Sequence, residues 1–305
     1  MIIGSRASPL ALRQTEIALA ELSRAGVDAL LCVVKTSGDL FLDRPLHQLS
    51  GQGVFCREID EQMLSGKIDL AVHSMKDLPT KRPPELGIAA VLKRDSPFDI
   101  LVSRDGSRLD ELAAGAVVGT SSMRRSAQLR RERPDLRIAN VRGNLQTRLR
   151  KLDEGGYDAL ILALAGLQRM GYDDMDYQVL DGERFVPSAN QGTIAVVAMR
   201  DTIGEKAAGL IDHAPTRTET LAERAVMERV GGGCVVPMAV HAEHRGGGLR
   251  MVAEVLSLDG SRFVRVEEMI PADDYLRSAQ ELGKRLAEMG GADLVDEAVR
   301  AIGSR

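Results

Sequence analysis

Apolar positions in the first two hundred residues switch repeatedly between helical spacing and short unbroken runs. Leu10, Ala11, Ile17, Ala18 and Leu22 fall on one helical face, and Pro9 stands where a helix can open, so Ser8 to Leu22 predicts an amphipathic helix. Ala29 to Val34 reads as a strand, Phe55 to Leu64 as a second helix, and Ile68 to Val72 as a short apolar run ending in His73-Ser74-Met75-Lys76-Asp77-Leu78-Pro79. Prolines at 79, 83 and 84 forbid an immediate helix after it. A second series follows: strand-like Ala116 to Gly119, a helix from Thr120, a strand over Arg137 to Val141, a helix over Leu145 to Leu152 and a strand over Ala159 to Ala163. Strands alternating with helices predict parallel sheets with crossover helices. Two such series, meeting near Arg94 to Pro97, predict two α/β domains facing each other. Beyond His213 the pattern changes to a helix over Thr218 to Val230, a glycine loop, strand-like Met251 to Ser257 and Phe263 to Met269, and a last helix with Leu276, Ala279, Leu282, Leu286 and Met289 on one face. This part predicts a small α+β domain.

Composition narrows the function. A chain of 305 residues that is 44% apolar can bury two or three cores. Its 40 basic and 44 acidic residues leave a net charge of −4, which offers no global attraction to nucleic acid or an acidic membrane. Aromatic residues make up 3% of the chain, so base stacking has little to work with. No apolar run approaches the roughly 20 residues that span a bilayer, and Met1 to Arg6 lacks the basic-then-apolar order of a signal peptide, so a cytosolic protein without a membrane partner is expected. Cys32, Cys56 and Cys234 have no metal-ligand spacing and are too few for a disulfide framework, so free thiols and no metal are expected. Arginine accounts for 32 of the 40 basic residues, and Thr120 to Lys151 holds ten basic residues against two acids, Glu132 and Asp135. Planar guanidinium groups in that density suit forked binding of carboxylate or phosphate.

Three segments can carry chemistry. Thr120-Ser121-Ser122-Met123-Arg124-Arg125 follows a strand and opens a helix, where hydroxyls, free N–H groups and two guanidiniums meet; it fits an anion site and equally a capped helix with a solvated basic face. Arg142-Gly143-Asn144 and Arg148 add donors after the next strand, which favours a ligand with several acidic groups. Asp77, at a strand end before a proline-rich turn, can stabilise a developing cation or move a proton, or simply make the turn. His73 alternates with Ala71 and reads as a core histidine. Cys234 follows Gly231-Gly232-Gly233, so its thiol can be a nucleophile or a covalent anchor, or a small buried residue in a tight turn. Gly51-Gln52-Gly53-Val54-Phe55 is only a weak likeness of a phosphate loop.

Taken in order, Gly4-Ser5-Arg6-Ala7-Ser8-Pro9-Leu10-Ala11-Leu12, Val72 to Asp77, Gly119 to Arg125, Arg142-Gly143-Asn144 with Thr147-Arg148-Leu149, and Gly232 to Pro237 closely resemble the porphobilinogen deaminase (hydroxymethylbilane synthase) family, from residue 4 to about residue 240. The resemblance implies joining of four porphobilinogen molecules, with loss of ammonia at each addition, on a covalent dipyrromethane cofactor held by a thioether to Cys234. It implies Asp77 and Lys76 as catalytic residues. Arg6, Ser8, Ser74, Ser122, Arg124, Arg125, Arg142 and Arg148 would hold the cofactor, and Arg6, Arg142, Arg148, Arg169 and Gln191 the substrate and growing chain. It further implies two type-II periplasmic-binding-protein-like α/β domains, 1–94 with 192–211 and 95–191, a smaller α+β domain over 212–305, and a monomer. Gln52 departs from the family's usual basic residue, and Ala189-Asn190 precede Gln191-Gly192 where a glycine usually precedes the glutamine. A nucleic-acid binder is the runner-up on the arginine window. A solute-binding protein of the same architecture would need no cysteine loop.

Overall fold

Leu70, Ala71, Val72 and His73 are all buried, as a continuous apolar run is when both faces of its strand are covered. The computed structural model, which describes residues 1–35, 56–233 and 236–303, makes this run part of β3 (Leu70–Ser74). Leu70 and Val72 pack with Ala18 and Leu22 of helix α1 (Pro9–Arg24), whereas Ala71 packs with Ile59 and Met63 of α2 (Arg57–Leu64). By contacts the chain divides into two compact units, Met1–Asp95 with Gly192–Arg217 and Ser96–Gln191 with Thr218–Arg305.

The first unit is built on a five-stranded sheet of order β2-β1-β3-β10-β4, from β1 (Ile2–Arg6), β2 (Leu30–Val34), β3, β4 (Leu86–Val91) and β10 (Ile194–Met199). Strands β1, β2 and β3 run parallel, but β10 is antiparallel to both of its neighbours. The second unit repeats the plan as β7-β6-β8-β5-β9, with β5 (Asp99–Ser103), β6 (Val117–Gly119), β7 (Arg137–Ala139), β8 (Ala159–Ala163) and β9 (Gln178–Val179). Here β5 is the antiparallel strand. Both sheets are therefore mixed, a correction to the parallel sheets that the alternation predicts. In each sheet the inserted strand is the first after the chain crosses from the other unit, and a fully buried apolar run carries no mark of its direction. The shared order, with one reversed strand beside the third, is that of type-II periplasmic-binding-protein-like lobes.

Within the second unit the C-terminal part forms an antiparallel sheet of β11 (Met238–Arg245), β12 (Gly248–Leu256) and β13 (Phe263–Pro271). Its core joins Val240, Leu249 and Val255 to Val226 from α7 (Ala214–Val230), the next helix in sequence after α6 (Ile203–Gly209), and to Leu282 from α8 (Tyr275–Leu286). The last helix of the sequence reading, carrying Leu276 to Met289, corresponds to α8, and a further helix that the reading did not reach follows it. Gly290, at φ +109°, breaks the run before α9 (Ala292–Gly303), so Met289 leaves the predicted apolar face and is exposed. No helix among the described residues is long and apolar enough to cross a membrane.

Candidate active site

In the first unit, the carboxyl ends of the parallel strands β1 and β3 bring the predicted residues together. Arg6 closes β1, and Ser8 caps α1 by accepting a hydrogen bond from the Ala11 amide at 3.3 Å. Ser74 closes β3, and a 3-10 turn, Met75–Asp77, then carries Lys76 and Asp77 up to Pro79. The turn is set by the Met75 amide, which donates to the Thr193 carbonyl at 2.9 Å, and by the Leu78 amide on the Met75 carbonyl at 3.1 Å. Arg6, Ser8, Gln14, Ser74 and Asp77 line one pocket. Gln14 is buried and its side-chain amide meets the Ser74 hydroxyl at 2.8 Å, so Ser74 is held from behind. Asp77 is exposed and Lys76 half-buried.

His73 and Cys56 complete this pocket's wall. Cys56 Sγ lies 3.7 Å from His73 Nδ1 and 3.9 Å from the Asp77 carbonyl. Burial, with the cations of Arg82 and Arg6, pulls His73 down to about 3, so it stays neutral in the working range. Burial pushes the Cys56 thiol up to about 12, which makes it an inert core thiol. Arg82 is itself tied to Asp60 of α2 by a buried ion pair.

The second unit gathers the arginine-rich segments. Ser122 caps α3 (Met123–Glu132), accepting from the Arg125 amide at 3.4 Å, and the Ser121 hydroxyl donates to the Val141 carbonyl at 2.7 Å. That bond ties the start of α3 to the loop carrying Arg142 and Gly143. Gly143 has φ +113°, and a Cβ there would stand 2.5 Å from Thr147 Cγ2, so both conformation and space require glycine. Asn144 caps α4 (Leu145–Asp153) through the Thr147 amide at 2.9 Å. Arg148 Nε donates to the Gly143 carbonyl at 2.9 Å and Lys151 Nζ to the Arg142 carbonyl at 3.2 Å. Arg142 and Arg148 meet no carboxylate among the described residues. Burial, and then the like charges of Arg125 and Arg142, bring Arg148 down to about 10. Arg169 is half-buried at the end of α5 (Leu164–Arg169).

Arg124 and Arg125 do not project as a solvated basic face. Both are buried on Asp99, a residue the sequence reading did not single out. Arg124 Nη1 donates to Asp99 Oδ2 at 2.7 Å, and to Gln128 Oε1 and the Val186 carbonyl, both at 2.9 Å. Arg125 donates to Asp99 Oδ1 from Nε at 3.1 Å and Nη2 at 2.8 Å, and to the Ile161 carbonyl at 3.1 Å. Gln191 Nε2 joins the same oxygen at 2.8 Å and reaches the Pro97 carbonyl at 2.7 Å. Burial alone would raise Asp99, but the two guanidiniums outweigh it and hold the carboxyl well below the usual carboxylate range. The available signal was an acid opening the apolar run Ile100-Leu101-Val102, since a buried acid needs partners.

Asn190, the departure noted beside Gln191, adopts φ +62°, a left-handed conformation that asparagine tolerates better than most residues. Its side-chain amide donates to the Thr220 carbonyl at 2.9 Å and to the buried Glu223 at 3.0 Å. Asparagine thus stands in for a glycine and gains an anchor. Gly231, Gly232 and Gly233 are all left-handed, at φ +85°, +80° and +62°, and lead directly to Cys234. Cys234 itself, like Gly51 to Phe55, lies outside the described residues.

Residues 1–205 match the family model described as porphobilinogen deaminase, dipyromethane cofactor binding domain, and residues 217–290 match porphobilinogen deaminase, C-terminal domain. A probable porphobilinogen deaminase of Methanococcoides burtonii is 52% identical over 301 residues, covering 98% of this chain and 97% of the relative. A porphobilinogen deaminase of Pelobacter propionicus is 44% identical over 298 residues, covering 97% and 96%. Among solved structures, a methionine binding protein, MetQ, aligns over 68% of this chain and 88% of its own at 14% identity, with a TM-score of 0.42.

Proposed function

The chain belongs to the porphobilinogen deaminase family, and from that premise we propose that it joins four porphobilinogen molecules head to tail into hydroxymethylbilane. One ammonia is released at each addition. It is an enzyme of the transferase class that serves tetrapyrrole biosynthesis, and its cofactor is dipyrromethane. The observation that carries the mechanism is an exposed carboxylate, Asp77, fixed on a short turn at a pocket whose lining includes Arg6, Ser8 and Ser74.

The residues present fit such a cofactor. Arg142 and Arg148 face no protein carboxylate among the described residues, and the like charges of Arg125 and Arg142 bear on Arg148. A ligand bearing several carboxylates relieves that repulsion. We assign Arg142, Arg148 and Arg169 in the second unit, and Arg6, Ser8 and Lys76 in the first, to acetate and propionate groups of cofactor and substrate. Arg124, Arg125 and Gln191 are given to Asp99 in the structure, and Ser74 to Gln14, so these four support the contacts from behind. Ser122 orients the first turn of α3. Cys234, presented by three left-handed glycines, is our proposed thioether anchor.

When bound, the cofactor supplies the nucleophilic pyrrole carbon from which the chain grows. Asp77 holds the protonated amine of porphobilinogen as the carbon–nitrogen bond breaks, and its charge then stabilises the cation left on the exocyclic carbon. Lys76 beside it keeps a substrate carboxylate in register. The family resemblance implies a monomer, and we propose that the chain acts as one. Cys32 and Cys56 are free thiols, which suits the reducing cytoplasm. Purified protein supplied with porphobilinogen is expected to release ammonia and form hydroxymethylbilane, followed by the colour of its oxidised cyclic product. Absence of both overturns the reading.

A further inference from the structure

Four donors converge on one carboxylate in the second unit. Asp99 is 1% exposed; its Oδ2 accepts from Arg124, and its Oδ1 accepts twice from Arg125 and once from Gln191. Two guanidiniums that deep are tolerated only against an anion, because burying an unpaired charge is costly. Arg125 lies in the first turn of α3, which Ser121 ties to the Val141 carbonyl, and the next residues of that loop supply Arg142 and the carbonyl that holds Arg148.

We infer that Asp99 is a positioning residue for carboxylate binding: it fixes Arg125 and Gln191 so that Arg142 and Arg148 keep the arrangement that accepts a ligand carboxylate. The inference rests on the functional reading above. With Asp99 present, Arg125 is neutralised in place, and the cations left for a ligand are those without a protein carboxylate. An asparagine at this position can keep one accepting oxygen toward Arg125 and Gln191. Its NH2 group then meets Arg124 Nη1, donor against donor, at a separation of 2.7 Å in the parent. Arg125 also loses the charge that balances it, and its repulsion falls on Arg148.

The test compares parent and Asp99→Asn by three readouts: the fraction of purified chains carrying cofactor by intact mass, KM and kcat per loaded chain with porphobilinogen, and the melting midpoint. The variant is expected to show a lower loaded fraction and a KM about tenfold higher, with kcat per loaded chain close to the parent, the pattern of lost uniform binding. Parent-like loading and KM, with only a lower melting midpoint, would make Asp99 a purely structural acid and overturn the inference. Should Asp99→Asn not fold, Asp99→Glu keeps the charge but displaces it by a methylene; a KM raised about threefold supports positioning and an unchanged KM overturns it. A parent that forms no hydroxymethylbilane defeats the functional reading itself, whereas an active parent with an indifferent variant defeats the inference alone.

Discussion

Asp77 and Asp99 are carboxylates in opposite surroundings, and their surroundings separate their roles. Asp99 is enclosed by donors that cancel its charge, whereas Asp77 is exposed at a pocket mouth with its charge available to a ligand. A bound ligand that shields Asp77 from water brings the interaction of two unit charges at about 4 Å to roughly 4 kcal/mol, about a thousandfold in rate. Asp77→Asn is therefore expected to fold as the parent does and to lose activity on that scale, with Asp77→Glu retaining more; near-parent turnover by the amide variant would return Asp77 to the role of a turn residue. His73 allows a separate prediction. Its folded value near 3 lies below the ordinary 6.5, chiefly through burial, so below about pH 6.5 the unfolded chain takes up a proton that the folded chain refuses. The contribution is complete above that pH and is lost as pH falls toward about 3. Melting midpoints of His73→Gln should decline less steeply than the parent's across this window, and equal slopes would show that His73 is protonated in the folded state.

At the scale of elements, the loop between β7 and α4 is held by both conformation and packing. Gly143→Ala would force a side chain into a left-handed position and against Thr147, and the carbonyl it moves is the one that holds Arg148. We expect a loss of at least about 1 kcal/mol in stability together with a raised KM for porphobilinogen. Urea unfolding and steady-state kinetics on the same preparation check both. Much of this level was legible in the sequence. Helix α1, the strand run into Ser74 and the capped start of α3 all carry local signals: a proline at the opening, an unbroken apolar run, and Ser122 before a helix. Strand direction was not legible, because β5 and β10 are buried apolar runs whose reversal depends on where the chain crosses between units. The helix break did carry a mark that the reading left unused, since Gly290 and Gly291 stand where the run stops and glycine commonly ends a helix. The arginine window was plain from composition, yet which guanidiniums face a ligand depended on one acid, Asp99, about 25 residues upstream in sequence.

For the whole molecule, the net charge of −4 and the basic window are reconciled by pairing. Arg124 and Arg125 bind Asp99, Arg131 binds Glu254, Arg133 binds Asp135 and Arg150 binds Glu154, so half of the window's ten cations are met internally and fewer remain to track a nucleic-acid backbone. Of the cations that meet no carboxylate among the described residues, Arg142 and Arg148 lie together at one loop and suit a compact ligand with several carboxylates. The central claim is a deaminase that builds its product on a cofactor covalently held at Cys234, and intact mass of the purified protein tests it most directly. The account predicts a chain heavier than its sequence by two deaminated porphobilinogen units, located by peptide mapping at Cys234, retained in Cys32→Ser and Cys56→Ser and absent from Cys234→Ser. An active enzyme whose mass equals that of the bare chain, or whose Cys234 peptide is unmodified, would contradict it.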